Sequence, residues 1–224
     1  MSEITKRRLA KVLWAFIVLA WVGDSVLLFL TADLAPSRQL GAAMLSLEDF
    51  AFVLVGALGL VILLRQPGNA VGWWIMVAGL SFPLDGFTAE LAEWGYAVSG
   101  PAPWVLAVGW FPRWVWLLSS INLPFTLLVF PDGKLPSPRW RPAVWLAVAV
   151  LAVVWVFAAF DPRPLAGLNG LPNPLGIPAL AAFGDQVMDV MAPLLQAVLP
   201  MLAAASLIPR YRRGTLIERQ QVKV

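Results

Sequence analysis

The stretch FPDGKLPSPRWRP, Phe130 to Pro142, carries three cations, one aspartate and four prolines. No charged residue occurs in the run before it, from Trp114 to Val129, or in the run after it, from Ala143 to Phe160. A polar, turn-rich break between two apolar runs reads as a loop between two helices that cross a bilayer. Within it, Pro131-Asp132-Gly133 makes a tight turn: proline fixes φ, aspartate bonds locally to the backbone and glycine accepts positive φ. Lys134, Arg139 and Arg141 then hold the loop on the cytoplasmic side.

The rest of the composition agrees. Hydrophobic residues make up 60% of the 224 and charged residues 13%, and mean hydropathy is +0.78, far from the mixture of a water-soluble domain. There is no cysteine and no histidine. That excludes disulfides, thiolate metal sites, cysteine nucleophiles and the side chain used most often as general base or phosphoacceptor. No cofactor and no nucleic-acid partner is expected, and the chain is not expected to be an enzyme by itself.

A helix needs roughly 20 mostly apolar residues to span about 30 Å of hydrocarbon. Six segments qualify: Leu9–Ala32, Leu47–Leu64, Val71–Leu91, Trp114–Phe130, Ala143–Phe160 and Val187–Ile208. Ser46 with Asp49 three residues on reads as a capping box opening the second. The third is the weakest, since it holds Pro83, Asp85 and Glu90. The first is too long for a signal core, contains Asp24 and lacks a clean cleavage site, so it reads as a retained span. With the amino terminus inside and the spans alternating, 13 of the 16 cations fall on the cytoplasmic side, and only Arg38, Arg113 and Arg163 lie outside. The expected architecture is all-α: one helical membrane domain over residues 1–209 with both termini cytoplasmic, then a basic tail over 210–224. The location implied is the plasma membrane, crossed several times.

FPDGKLPSPRW, with RQPGNAVGWW at Arg65–Trp74, NPLG at Asn173–Gly176 and RYRRGTLIERQQVK at Arg210–Lys223, resembles the multi-pass membrane region at the amino end of actinobacterial-type sensor histidine kinases. Lys134 stands where that family usually has arginine, and Ala70 where it commonly has proline. The resemblance implies signal transduction in a two-component system, with a histidine kinase transmitter or a second copy of the chain as partner. It also implies a phosphoaccepting histidine and an ATP-binding domain, which these 224 residues do not contain.

Ionisable groups inside a membrane cost about 2.5–3.5 kcal/mol each at mid-bilayer and so mark candidate sites. Asp24 lies roughly 5 Å past the middle of the first span at 1.5 Å per residue. Asp85 sits in GLSFPLDGF, where Pro83 and Gly86 loosen the helix. Asn122 and Pro124 form a similar weak point in the fourth span. In the sixth, Asp189, Pro193, Gln196 and Pro200 share one helical face, expected to look inward. Asp24, Asp85, Arg113, Asn122, Asp189 and Gln196 are therefore the candidate ligand-contacting residues, with Arg113 at the outer mouth completing a polar cavity. Asp132, Gly133, Lys134, Arg139, Arg141, Arg212, Arg213 and Glu218 are the candidate cytoplasmic-loop and output residues.

The twelve tryptophans read as interface anchors rather than a ligand cage. Pro101–Pro112 is expected on the outer surface, and Asp161–Gly184, too apolar for a solvated linker, is expected to pack over the bundle. The leading expectation is a membrane sensor-like domain that relays an outer or intramembrane stimulus to a cytoplasmic partner. A small transporter or permease-like component is the alternative.

Overall fold

Helix α1 (Glu3–Thr31) is long and apolar enough to cross a membrane, and it sorts its side chains unlike a water-soluble helix. Ala10, Ile17, Ala20, Asp24 and Leu27 form its buried stripe, while Phe16, Leu19, Val22, Val26, Phe29 and Leu30 point away from the protein. Beyond its first turn the one carboxylate, Asp24, is inside and much hydrocarbon is outside, the reverse of a soluble amphipathic helix. A computed structural model describes residues 2–31, 39–130, 133–168, 170–208 and 211, and every regular element among them is helical.

Six helical segments follow one another. After α1 come α2 (Gln39–Arg65) and α3 (Ala70–Ser99). The fourth segment is divided into α4 (Pro103–Trp110), α5 (Pro112–Val115) and α6 (Leu117–Val129). A 3-10 turn, Pro138–Trp140, leads into α7 (Arg141–Phe160). The sixth consists of α8 (Gly184–Pro193), a π-turn at Leu194–Val198 and α9 (Leu199–Ala205). Among the described residues, four stretches are long and apolar enough to cross a membrane: Glu3–Thr31, Ala70–Ser99, Pro138–Phe160 and Gly184–Ala205.

Helix α3 packs against α1, α2, α4, α5 and α6. Its 30 residues run unbroken through Pro83, about 45 Å at 1.5 Å per residue, where the sequence suggested the weakest span. Proline removes one backbone donor, and hydroxyls supply extra bonds to the carbonyls nearby. Ser81 Oγ donates to Ala78 O at 2.6 Å, and Thr88 Oγ1 to Leu84 O at 2.8 Å. Glycines let α2 come close: a Cβ on Gly79 would lie 2.5 Å from Gly56 Cα, and one on Gly59 would lie 2.9 Å from Met76 N. Small residues at such crossings let backbones touch.

Three apolar clusters complete the packing. Ala10, Ile17, Val53, Leu63 and Met76 join α1, α2 and α3. Leu117, Ile121, Val150, Val154, Leu195 and Leu199 join α6, α7 and the sixth segment. At the far end, Leu165 and Leu168 of the long loop bury against Ala92 and Val105, which stabilises the loop by about 1.5–3 kcal/mol per side chain relative to exposure in water.

Several expectations are corrected. Residues 46–49 lie inside α2, which begins at Gln39, so no capping box starts a helix there. Pro101–Pro112 is largely the helix α4, whose Val105 and Gly109 are buried. In the sixth segment Asp189, Pro193 and Gln196 are exposed, because Leu195, Leu199 and Ala203 form the stripe that turns inward. The polar face looks out. Substituting Gly79 by Ala is expected to lower stability by about 1–3 kcal/mol through overpacking, whereas Ala97→Val on the exposed end of α3 leaves it unchanged. Detergent unfolding followed by circular dichroism checks the pair.

Candidate functional site

Gly133, the last residue of the FPDG motif, meets the turn that carries QPGN. Gly133, at φ +77°, lies so near the start of α3 that a Cβ would come 3.2 Å from Ala70 N. Across from it Asn69 caps α3, its side-chain oxygen accepting from Val71 N at 2.9 Å, and Trp73 Nε1 donates to Pro67 O at 3.2 Å. Lys6 Nζ lies 3.9 Å from the point a Cβ on Gly68 would occupy. The start of α1 and both turns therefore share one end of the bundle, the basic end. Lys134, Arg139 and Arg141 are exposed there. Asp132, Arg212, Arg213 and Glu218 fall outside the described residues.

Farther along α3 three helices bring carboxyl groups together inside the protein. Asp24 of α1 is 2% exposed and Asp49 of α2 is 6% exposed, and their carboxyl groups meet beside α3. Gly86 of α3 makes the room, since a Cβ there would sit 2.9 Å from both Asp24 Oδ1 and Asp49 Oδ2. The adjacent Asp85 has Oδ1 buried without a hydrogen-bond partner among the described residues. Glu90, a turn farther on, accepts from Thr31 Oγ1 at 3.3 Å. Sequence reasoning singled out Asp24 and Asp85 but missed Asp49, because the supposed capping box placed it at a helix end.

Arg113 does not join this cluster. Its guanidinium donates to Ala158 O at 3.2 Å, to Arg163 O at 3.2 Å and to Pro164 O at 3.0 Å, and its Nη2 lies 3.3 Å from Asp161 Oδ2. Arg163 grips the same carboxylate through Nε at 2.6 Å and Nη2 at 2.5 Å, and reaches Asp185 Oδ1 through Nη1 at 2.9 Å. Asn173, in the NPLG turn, donates to Ala159 O at 2.9 Å and Asp161 O at 2.8 Å. The result is a clip that binds α5, the end of α7, the long loop and the start of α8 into the second end of the bundle, the loop end. Asn122 is likewise a tie: its amide donates to Trp74 O, and its Oδ1 accepts from Thr126 at 3.2 Å.

Burial alone would raise the Asp161 carboxyl, but hydrogen bonds from Arg163 and the charges of Arg163 and Arg113 outweigh it and hold the group below its ordinary value. Behind the clip lies a cavity of about 350 Å³ whose wall includes Glu93, Arg113, Trp116, Phe157, Asp161 and Met188. Its size falls in the range of small-molecule sites. Glu93, Trp116, Phe157 and Met188 carried no motif, so proximity alone identifies them. No group of three or more His, Cys, Asp or Glu suited to a metal ion occurs among the described residues.

Asp161→Asn is expected to cost about 1–3 kcal/mol, with the partly exposed Arg163 contributing the smaller share. Because the folded-state pKa of Asp161 is depressed, the clip's contribution is complete above the ordinary carboxylate range and disappears as pH falls through the lower folded-state value. Thermal unfolding at neutral and acidic pH measures both effects, the Asn variant being the flatter of the two. Gly86→Ala is expected to push the Asp24 and Asp49 side chains apart and destabilise by about 1–3 kcal/mol, checked in the same assay. Comparison of the chain with protein-family profiles, with curated proteins and with solved structures returned no match.

Proposed function

We propose that this chain is an integral membrane sensor-like domain of six spans, similar to the input region of a two-component histidine kinase, with both termini in the cytoplasm. The observation that carries the reading is that one cavity at the loop end is walled by Glu93 of α3 and Met188 of α8. Helix α3 starts at the basic end, beside the FPDG turn, and the sixth segment leads toward residues 210–224 with their cluster of arginines. Occupancy of the cavity can thus alter the elements that reach the cytoplasmic side. A ligand shifts such an equilibrium only by its differential affinity for the two arrangements, and the exposed, π-interrupted sixth segment is the element suited to have two.

Orientation follows from the cations. Lys6, Arg7, Arg8, Lys11, Arg65, Lys134, Arg139 and Arg141 belong to the ends and turns gathered at the basic end, which the positive-inside rule assigns to the cytoplasm. The clip and the cavity then face outward, and lipid accounts for the apolar exposed faces of α1 and α7. The partner that receives the signal is a histidine kinase transmitter or a second copy of the chain.

One observation favours a transporter-like role as the second reading. The buried Asp24–Asp49 pair, with Asp85 beside it, places carboxyl groups inside the bundle, as ion- and proton-coupled carriers do.

Because the chain has no cysteine, single substitutions test the topology directly. Ser137→Cys is expected to react with an impermeant thiol reagent only from the cytoplasmic side, and Gly170→Cys only from outside; the opposite pattern removes the proposal. Fusing a kinase transmitter after residue 224 tests the signal. Asp161→Asn is expected to change its autophosphorylation by about threefold or more, a modest population shift. An unchanged rate, together with solute flux through reconstituted vesicles that is abolished by Asp24→Asn, transfers support to the transporter reading.

A further inference from the structure

The sixth segment turns a polar group away from the bundle. Over Gly184–Ala205 it is long and apolar enough to cross a membrane, and it packs against α6 and α7 through the stripe of Leu195, Leu199 and Ala203. On the other side Asp189, Pro193, Gln196, Ala197 and Met201 are exposed. Gln196 stands about 18 Å from the start of the segment and about 14 Å from its end at 1.5 Å per residue. In a spanning orientation its amide is therefore near the middle of the bilayer. It also falls within the π-turn Leu194–Val198, a feature found often at functional positions.

Hydrocarbon does not suit such a group. An amide has two donors and a carbonyl acceptor, and lipid tails bond to neither, so leaving it there unpaired is costly. Unlike lysine or arginine, glutamine has no long stem with which to reach the headgroups. The amide needs a partner at its own depth. Two copies of one chain inserted in the same sense are related by a two-fold axis along the membrane normal, which brings residue 196 of each to the same level. There each carbonyl accepts from the other's NH2, so the partial charges of one amide complement those of its copy. A helix of a different protein would have to supply its own polar group at that level.

The neighbouring residues are compatible with this contact. Ala197 is exposed beside Gln196, and a small side chain there lets a second backbone approach. Asp189, on the same face, is about 10 Å nearer the loop end and only about 8 Å from the start of the segment, where headgroups and water reach. Membrane helices cross at an angle, so helices that meet at Gln196 diverge toward their ends and keep the two like charges apart.

We propose that the outward face of the sixth segment, centred on Gln196, is the contact between two copies of this chain in the membrane, each Gln196 amide bonding to its counterpart. The inference rests on the reading of this segment as a membrane span given above, and it names the second copy as the partner at that face.

Single-molecule photobleaching of the dye-labelled full chain in vesicles, at a series of protein-to-lipid ratios, measures the association. The parent is expected to pass from monomer to dimer as density rises. Gln196→Leu is expected to raise the dissociation constant by about tenfold or more, about 1.4 kcal/mol, which two interhelical hydrogen bonds can supply. Gln196→Asn is expected to retain part of the affinity. Because the chain has no cysteine, disulfide trapping is a second measurement, independent of how the Leu variant folds. Under a membrane-permeant oxidant Ala197→Cys is expected to give cross-linked dimers, and Leu19→Cys, on the exposed face of α1, to give none. A parent that stays monomeric at every density, an unchanged dissociation constant in Gln196→Leu, or cross-linking of Ala197→Cys no greater than that of Leu19→Cys overturns the proposal. A monomeric parent alongside a transmitter fusion that responds to Asp161→Asn removes this inference and leaves the sensor reading. Dimers that weaken in Gln196→Leu alongside a silent fusion do the reverse.

Discussion

The continuity of α3 through Pro83 is the constraint on which the rest of the molecule depends. This one helix begins against the FPDG turn, passes α2 at glycine-to-backbone distance, presents Asp85 and Gly86 to the carboxyl pair, and delivers Glu93 to the loop-end cavity. A break at Pro83 would separate those four features. The hydroxyls of Ser81 and Thr88 add hydrogen bonds on either side of the proline, which is how polar side chains help helices tolerate proline where water is absent. Ser81 is fully buried, so its hydroxyl has only the protein to bond.

The charged residues divide into two groups with opposite character. At the loop end, Arg113, Asp161, Arg163 and Asp185 satisfy one another nearly completely, and their geometry joins elements far apart in the chain. The buried pair Arg113–Asp161 adds little net stability when whole and costs much when one partner is removed, and the exposed Arg163–Asp185 pair adds less, so the clip is better understood as a device that specifies where the long loop sits. In the middle of the bundle, Asp24, Asp49 and Asp85 come from three different helices. They are kept together by helix packing and by the missing Cβ of Gly86. One group fastens the protein; the other gathers carboxyl groups inside the bundle.

Helical class and the number of helical segments were readable in the residues, because apolar run length reports on local backbone requirements, whereas the breaks at Ser46 and at Pro101–Pro112 were misread because proline and capping residues also occur inside helices. Even the packing of Asp161–Gly184 over the bundle followed from its leucines, two of which, Leu165 and Leu168, are buried. Side-chain direction was read less well. The offsets of Asp189, Pro193, Gln196 and Pro200 pointed to one face, but periodicity does not say which face turns inward. Leu195, Leu199 and Ala203 decided that. Arg113 was expected to complete a cavity with Asp24 or Asp85; it instead found Asp161, whose position depends on how α7 ends.

By itself, then, the amino-acid sequence determined the solvent preference of each segment, the helical state and the side on which cations gather, since all three depend on composition within about 20 residues. Tertiary structure alone decided which charges became partners. Asp24, Asp49 and Gly86 come from three different helices, and Glu93, Arg113, Asp161 and Met188 come from four separate elements. Their meeting depends on helix crossing, on glycines that allow backbones to touch and on a loop folded back over the bundle. Such contacts are non-local, and no short window of sequence contains them.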